Sequence, residues 1–304
     1  MAGRSCSNME SSVIVPCTRP EKARATLAAL LCQSVPAGEY EVVAVVPDES
    51  VKAAIEQPRV RVVVAGQLYG PGKMRNIGAS HSSGRSLFFL DDDCIPPPTW
   101  LAALRARLSG DGSTGVVGCR VVSLRPSFWT GCADHALFSA YQYDASRSID
   151  LGSAAIGVPR EVFDAVGGFD EDLLATEDWD FCLKVREKGR SCFFDAGVEV
   201  KHDHECDSLG KIVTKAYRYG YRSGVVVQAR HLGKMSWLAA LSVRLSHPAV
   251  YWLLVAPYVF SGLLLQTLPS VRRHASVLLY VPFLLLARSA YHVGVWRRLM
   301  RRVP

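Results

Sequence analysis

Leu87-Phe88-Phe89-Leu90-Asp91-Asp92-Asp93-Cys94-Ile95-Pro96-Pro97-Pro98 is the stretch on which the reading of this chain turns. Four large apolar residues predict a buried strand, and three consecutive carboxylates stand where that strand emerges. Carboxylates packed this closely repel one another, and each needs water or a cation to remain ionised. Hard divalent cations such as Mg²⁺ or Mn²⁺ prefer carboxylate oxygens and also bind phosphates. In open α/β sheets, ligands bind beyond the carboxyl ends of the strands, where this acidic run is expected to lie. A solvated acidic turn before a proline-stiffened loop is the competing reading of these residues alone.

On either side of this run, short apolar runs alternate with longer mixed segments. Residues 12–15, 40–46, 60–65, 86–90 and 115–123 read as strands. Residues 19–33, 51–57, 73–82 and 100–108 read as helices, the first with Leu27, Leu30 and Leu31 on one face. This alternation predicts an α/β fold of βαβ units, a mostly parallel sheet flanked by helices. Residues 128–151 are aromatic and polar without a clear period and read as a substrate-facing segment. Residues 159–166 read as a short helix closed by Gly167-Gly168, and residues 176–188 as a helix ended by Gly189. Residues 192–194 and 198–202 read as closing strands.

The chain has 304 residues, long for one soluble domain and suited to a core domain with an appendage. Lys and Arg number 35 against 28 Asp and Glu, a net charge of +7 that suits anionic membrane surfaces or phosphates. No zinc-finger spacing or RNA-recognition aromatic signature accompanies it, so no nucleic-acid partner is expected. Nine cysteines without a Cys-x-x-Cys pair read as reduced cytosolic thiols rather than a disulfide framework. The first apolar run, Val13-Ile14-Val15, stops at Pro16, too short for a secretion signal.

Several features then follow in order: Val13-Ile14-Val15-Pro16 with Thr18 and Arg19, then Pro47-Asp48-Glu49-Ser50, then Gly70-Pro71-Gly72-Lys73-Met74-Arg75-Asn76. The triple Asp, Gly167-Gly168-Phe169-Asp170-Glu171 and Thr176-Glu177-Asp178-Trp179-Asp180 complete the series. Over roughly residues 11–205 the chain resembles the family 2 glycosyltransferases, which have the GT-A (Rossmann-like) nucleotide-sugar-binding fold.

The resemblance implies a role for each motif. Pro16, Thr18 and Arg19 line the nucleotide-sugar site, and Asp48 meets the base, since a carboxylate accepts a ring N–H. The Pro47 and Glu49 departures from the family's Asp-Asp-Gly-Ser-like pattern leave the base open. Gly72 allows close backbone approach at a helix start, and Arg75 is expected on the diphosphate, whereas Lys73 reads as a solvated surface charge. Asp93 is the expected metal ligand, Asp91 and Asp92 contact the ribose or metal-bound water, and Cys94 only packs. Asp178 is the expected catalytic base, Glu177 positions the acceptor, and Trp179 stacks on a sugar face. His202 is expected at the metal or diphosphate, with His204 as its rival.

The function so implied is a metal-dependent inverting transfer from a nucleotide-diphospho-sugar to a hydroxyl of a glycan or lipid-linked acceptor, with Mg²⁺ or Mn²⁺ as cofactor. The processive synthases' Gln-x-x-Arg-Trp element is missing after Asp178, so single-sugar addition is expected. A nucleotidyltransferase of similar fold is the enzymatic rival; Pro16-Cys17-Thr18-Arg19-Pro20 is not its glycine-rich loop. The non-enzymatic rival is a membrane scaffold with a degenerate transferase domain.

The expected organisation is a polar extension (1–10), a catalytic domain (11–205), a helical connection (206–248), a membrane hairpin (249–296) and a basic tail (297–304). Residues 249–268 carry no charge over a length that spans a bilayer core. Residues 275–296 are apolar apart from Arg288 and His292. Arg230, Lys234, Arg244, Arg297, Arg298, Arg301 and Arg302 flank the hairpin, against Arg272 and Arg273 in its connection. That balance predicts a cell-membrane protein with both ends and the catalytic domain cytoplasmic. A re-entrant hairpin and a buried two-helix subdomain are the alternatives.

Overall fold

The computed structural model describes residues 9–110, 112–138, 151–224 and 275–300, together with five positions between 249 and 257. They divide into two units, the first drawn from Met1–Leu124, Asp144–Asp172 and Glu177–Asp203, the second from Arg125–Tyr143, Leu173–Thr176 and His204–Pro304.

The first unit is built on an eight-stranded sheet flanked by helices. Strands β1 (Ser11–Pro16), β2 (Tyr40–Val46), β3 (Val60–Val64) and β4 (Ser86–Leu90) are linked by α1 (Pro20–Leu31), α2 (Glu49–Ile55) and α3 (Pro71–Ser80). They run parallel in the order β3-β2-β1-β4, so β1 is central to this half and both β2 and β4 pair with it. Strands covered on both faces need continuous apolar runs, and Val13, Ile14, Val15 and Val42 to Val46 are all buried.

The chain then forms β5 (Cys94–Ile95), α4 (Trp100–Leu108), β6 (Thr114–Ser123), α5 (Phe128–Leu137), β7 (Ala155–Pro159), α6 (Arg160–Ala165), α7 (Glu177–Glu187) and β8 (Ser191–His202). The sheet continues β4-β7-β6-β8-β5, with β6 and β8 parallel. β7 runs antiparallel to both its neighbours, and β5 antiparallel to β8, so the sheet is mixed on this side. The two closing strands expected at 192–194 and 198–202 are one strand. A register shift between Cys119 and Arg120 on β6 takes up Ala196, Gly197 and Val198 as an irregularity, which breaks the apolar pattern.

An aromatic cluster ties α7 to the sheet. Phe169 stacks on Phe181 of α7 at 4.7 Å and meets Phe89 of β4 edge-on at 5.1 Å. Since Phe89 directly precedes Leu90 and the acidic run, this packing brings the start of α7 to the carboxyl end of β4.

In the second unit, α5, α8 (Leu209–Tyr219) and α9 (Val281–Met300) bury Cys132, Ala133, Ile212, Ala216, Leu284 and Ala287 together. α5 lies where sequence analysis expects an aperiodic segment. Ser127 and Thr130 form its capping box, and the buried face consists of Thr130, Cys132, Ala133 and Asp134, whose mixed polarity hides the period. A Cβ on Gly220 or Gly294 would strike backbone of the facing helix, so these glycines permit the close approach of α8 and α9.

Among the described residues, the helix Val277–Arg298 is long and apolar enough to cross a membrane. Most of the expected first membrane segment, 249–268, lies outside the described residues, as do Arg272, Arg273 and 139–150 of the expected substrate-facing segment.

Candidate active site

The three consecutive carboxylates turn to different partners: Asp91 to Arg75, Asp92 and Asp93 to Arg19, and Asp93 also to the His202 ring. Asp91 Oδ1 lies 2.6 Å from Arg75 Nη2. Asp92 accepts the N–H groups of Thr18 at 2.7 Å and Arg19 at 2.9 Å, together with the Arg19 side chain. Asp93 Oδ2 takes Arg19 Nη1 at 2.8 Å, while Asp93 Oδ1 faces His202 Nε2 at 3.3 Å. Asp92 and Asp93 are both buried, so each interaction acts in a medium that strengthens it. Burial opposes ionisation of Asp93, but His202 and Arg19 outweigh it and hold its carboxyl well below the usual range.

β1 and α1 supply this arrangement. Pro20 opens α1, and the two N–H groups just before it converge on Asp92. Thr18 and Arg19, expected on the nucleotide-sugar, therefore spend their backbone donors on Asp92. The adjoining Pro16 closes β1 and has no N–H to give. Lys22, one turn on, pairs with Asp203 at 3.4 Å, and the Asp203 N–H donates to the Asp93 carbonyl at 2.8 Å.

A second acidic group opens α7. The chain enters it through Thr176 at φ 63°, a strained value for a β-branched residue. Glu177 is buried, with Oε1 2.7 Å from Arg75 Nη1. Asp178 is half-buried; its Oδ2 accepts the Ser153 N–H at 3.2 Å and its Oδ1 the Trp179 N–H at 2.8 Å. Burial and the neighbouring Asp178 charge push Glu177 up to about 7 against the pull of Arg75. Burial likewise raises Asp178, with Arg75 and two N–H donors opposing. Trp179 is half-buried beside them.

Arg75, expected on the diphosphate, is buried between two carboxylates. Its guanidinium, 3% exposed, is shared between Asp91 and Glu177 rather than presented to a diphosphate. The rest of its motif is structural in the same sense. Asn76 Nδ2 donates to the Phe169 carbonyl at 2.9 Å and its Oδ1 accepts the Phe169 N–H at 3.0 Å. Gly72 has no room for a side chain, since a Cβ would lie 2.9 Å from the Asp170 carbonyl oxygen. The helix start and the Gly167–Glu171 turn are therefore one locked unit. Lys73, read as a solvated charge, reaches Glu171 at 3.4 Å.

Asp48 is exposed and caps α2. Its Oδ1 accepts from the N–H of Ser50 at 2.9 Å, the N–H of Val51 at 3.0 Å and the Ser50 hydroxyl at 2.5 Å. His204 belongs to the second unit, where its Nε2 lies 3.0 Å from Asp134 Oδ1 and its Nδ1 accepts the Cys206 N–H. Of the two histidines, His202 is the one beside Asp93. Ser153 as a support for Asp178 escapes sequence analysis, because a backbone donor leaves no trace in residue type.

The fit of a divalent ion can be judged from these donors. Asp93 Oδ1 is buried and accepts no hydrogen bond. Two donors on one ion at about 2.1 Å stand roughly 3.0–3.4 Å apart, and the 3.3 Å between Asp93 Oδ1 and His202 Nε2 lies in that range. Asp93 and His202 thus suit a shared cation.

The glycosyltransferase like family 2 model matches residues 10–221. The chain belongs to this family. The protein is thus a glycosyltransferase working with nucleotide-sugar donors, which sets aside the nucleotidyltransferase and scaffold alternatives. It is 28% identical over 220 residues to the glycosyltransferase AglE of Haloferax volcanii, covering 69% of this chain and 71% of that one. It is 30% identical over 181 residues to the pre-mycofactocin glycosyltransferase of Mycobacterium tuberculosis, covering 54% of this chain but only 36% of that protein. Among solved structures, the mannosyltransferase PcManGT from Pyrobaculum calidifontis, in complex with GDP-Man and Mn²⁺, aligns with a TM-score of 0.66 at 17% identity. That alignment covers 97% of this chain and 88% of the other. GalNAc-T7, with UDP, GalNAc and Mn²⁺, aligns with a TM-score of 0.52 at 18% identity over 64% of this chain and 44% of the other. At these identities the likeness is one of fold, the GT-A fold.

Proposed function

We propose that this glycosyltransferase carries out a metal-dependent, inverting, single-sugar transfer from a nucleotide-diphospho-sugar to a hydroxyl of a glycan or lipid-linked acceptor. The observation that carries the reading is the pair of buried donors Asp93 Oδ1 and His202 Nε2, 3.3 Å apart. Asp93 and His202 hold a divalent ion such as Mn²⁺ or Mg²⁺, which when bound supplies Lewis-acid stabilisation of the charge on the leaving nucleoside diphosphate. The solved Mn²⁺ complexes of PcManGT and GalNAc-T7 support this choice.

Asp178 takes the proton of the acceptor hydroxyl as that oxygen attacks the anomeric carbon from the face opposite the diphosphate. The Ser153 and Trp179 N–H groups orient its carboxylate, and Glu177, held by Arg75, lines the acceptor side with Trp179. Arg19, 40% exposed and already bound to Asp92 and Asp93, is the cation within reach of a donor phosphate. Asp91 and Asp92 border the ribose, and Asp48 with Pro16 and Thr18 borders the base. A single displacement needs no covalent glycosyl-enzyme.

Residues 11–205 form the catalytic domain in this reading, and residues 249–296 attach it to the cytoplasmic face of a membrane. The apolar helix Val277–Arg298, followed by basic residues, supports attachment and suits a lipid-linked acceptor. A thermal-shift screen of nucleotide sugars with Mn²⁺ tests the function, since a bound donor raises the melting temperature by mass action. Stabilisation by one nucleotide sugar, abolished by a chelator, is expected; no shift with any donor contradicts it.

A further inference from the structure

Next to Asp93 and His202 stands a third donor that the proposed chemistry leaves unused. Cys94 opens β5 and lies directly opposite His202 in the antiparallel pair with β8. Residues directly opposite on such a pair project from the same face of the sheet, so the thiol and the imidazole are neighbours. Both are buried, Cys94 with no exposed surface. A carboxylate oxygen of Asp93, Sγ of Cys94 and a ring nitrogen of His202 all lie within 4.8 Å of one another. Around a tetrahedral ion with bonds of about 2.0–2.3 Å, donor atoms stand roughly 3.3–3.8 Å apart. The 3.3 Å between Asp93 Oδ1 and His202 Nε2 meets that spacing without movement. Asp93 Oδ1, the oxygen that faces His202, is itself buried.

We propose that Asp93, Cys94 and His202 form a mixed oxygen, sulfur and nitrogen site that selects a thiophilic transition ion, of the Co²⁺ or Zn²⁺ class, over Mg²⁺. The inference rests on the reading of Asp93 and His202 as the metal site and adds the residue that decides which ion enters it. Mg²⁺ favours oxygen donors, keeps several waters and gains little from sulfur, whereas imidazole and thiolate favour the later first-row ions. Charge points the same way. One carboxylate and one thiolate balance a dication, and the Arg19 charge is already matched by Asp92. On binding, the Cys94 S–H bond is replaced by a sulfur–metal bond and the proton passes to solvent; no atom changes oxidation state. Mn²⁺, low in the stability series, binds between the extremes.

The test is a titration of the purified full-length protein with Co²⁺, read by absorption and by calorimetry, for wild type, Cys94→Ser and Asp93→Ala. A thiolate-to-cobalt charge-transfer band in the near ultraviolet is expected for the wild type, a band that oxygen and nitrogen donors do not give. In Cys94→Ser the band disappears and Co²⁺ affinity falls by at least about tenfold, while Mg²⁺ affinity is unchanged. Asp93→Ala loses binding of both ions. Cys94→Ala replaces the serine variant if a hydroxyl in this buried position unfolds the protein. Equal Co²⁺ affinity in wild type and Cys94→Ser, with no band in either, overturns the role of Cys94 and leaves the metal site standing. A band that survives in Cys94→Ser belongs to another cysteine and also overturns it. Failure of the wild type to bind Co²⁺, Mn²⁺ or Mg²⁺ overturns the metal reading itself, and this inference with it.

Discussion

Arg75 Nη1 lies 2.7 Å from Glu177 Oε1, although the two residues are 102 positions apart. The same guanidinium reaches Asp91 at 2.6 Å through Nη2. A planar fork with two outward N–H directions is what joining these two carboxylates requires, and lysine has no equivalent. The acidic run after β4 and the acidic start of α7 are therefore held together by one buried cation.

Arg75→Met removes that cation and leaves Glu177 buried without a counter-charge. Loss of one partner of a buried pair typically costs about 3–5 kcal/mol. Urea unfolding should show a destabilisation in this range, and Arg75→Lys should recover only part of it. A change below about 1 kcal/mol in Arg75→Met would mean that the pair does not organise the site.

Asp178→Asn keeps the size of the side chain and its ability to accept the Ser153 N–H, but it cannot take a proton. Turnover should fall roughly 10²- to 10⁴-fold. Donor affinity should barely change, because the base acts on the acceptor. Near-normal turnover in the purified variant contradicts the assignment.

The Glu177 shift carries a pH signature. The unfolded chain releases this proton near 4.5, while the folded protein keeps it up to about 7. Between those values the folded state binds more protons, so its stability from this group falls as the pH rises from about 4.5 to about 7 and is level above. Glu177→Gln should flatten that part of the stability profile measured by denaturant midpoints. An unchanged slope in the variant contradicts the shift.

Gly72→Ala places a methyl group 2.9 Å from the Asp170 carbonyl oxygen, in the lock between α3 and the Gly167–Glu171 turn. Overpacking of this kind costs about 1–3 kcal/mol. The thermal midpoint should drop, with turnover falling as Glu177 and Asp178 move with the turn. A variant as stable and as active as the wild type would show that the turn yields freely.

Regular elements were legible wherever their periodicity was uninterrupted. The strands at 40–46 and 86–90 and the helix at 100–108 end where the apolar pattern ends. β7 was hidden because Ala155-Ile156-Gly157-Val158-Pro159 is short and contains the two residues that most often mark a turn. α5 was hidden because its buried face includes Thr130 and Asp134. At the site, the order of the motifs singles out the carboxylates as a group but says nothing of their partners. The turn from Asp91 to Asp93 leaves the two-residue alternation of a strand, so nothing local says that Asp91 faces Arg75 while Asp92 and Asp93 share Arg19. Arg75 shows the same limit: its motif is local, but its partner Glu177 is brought to it by the packing of Phe89, Phe169 and Phe181.

If Asp93 and His202 hold a divalent ion, binding of the donor's diphosphate depends on that ion. Calorimetric titration of UDP and of GDP into the wild type, with Mn²⁺ and then with a chelator, tests it most directly, and Asp93→Ala repeats the Mn²⁺ arm. At least one nucleotide should bind in Mn²⁺, with binding lost in the chelator and lost in Asp93→Ala. Equal affinity with and without the ion, or an unchanged affinity in Asp93→Ala, would contradict it.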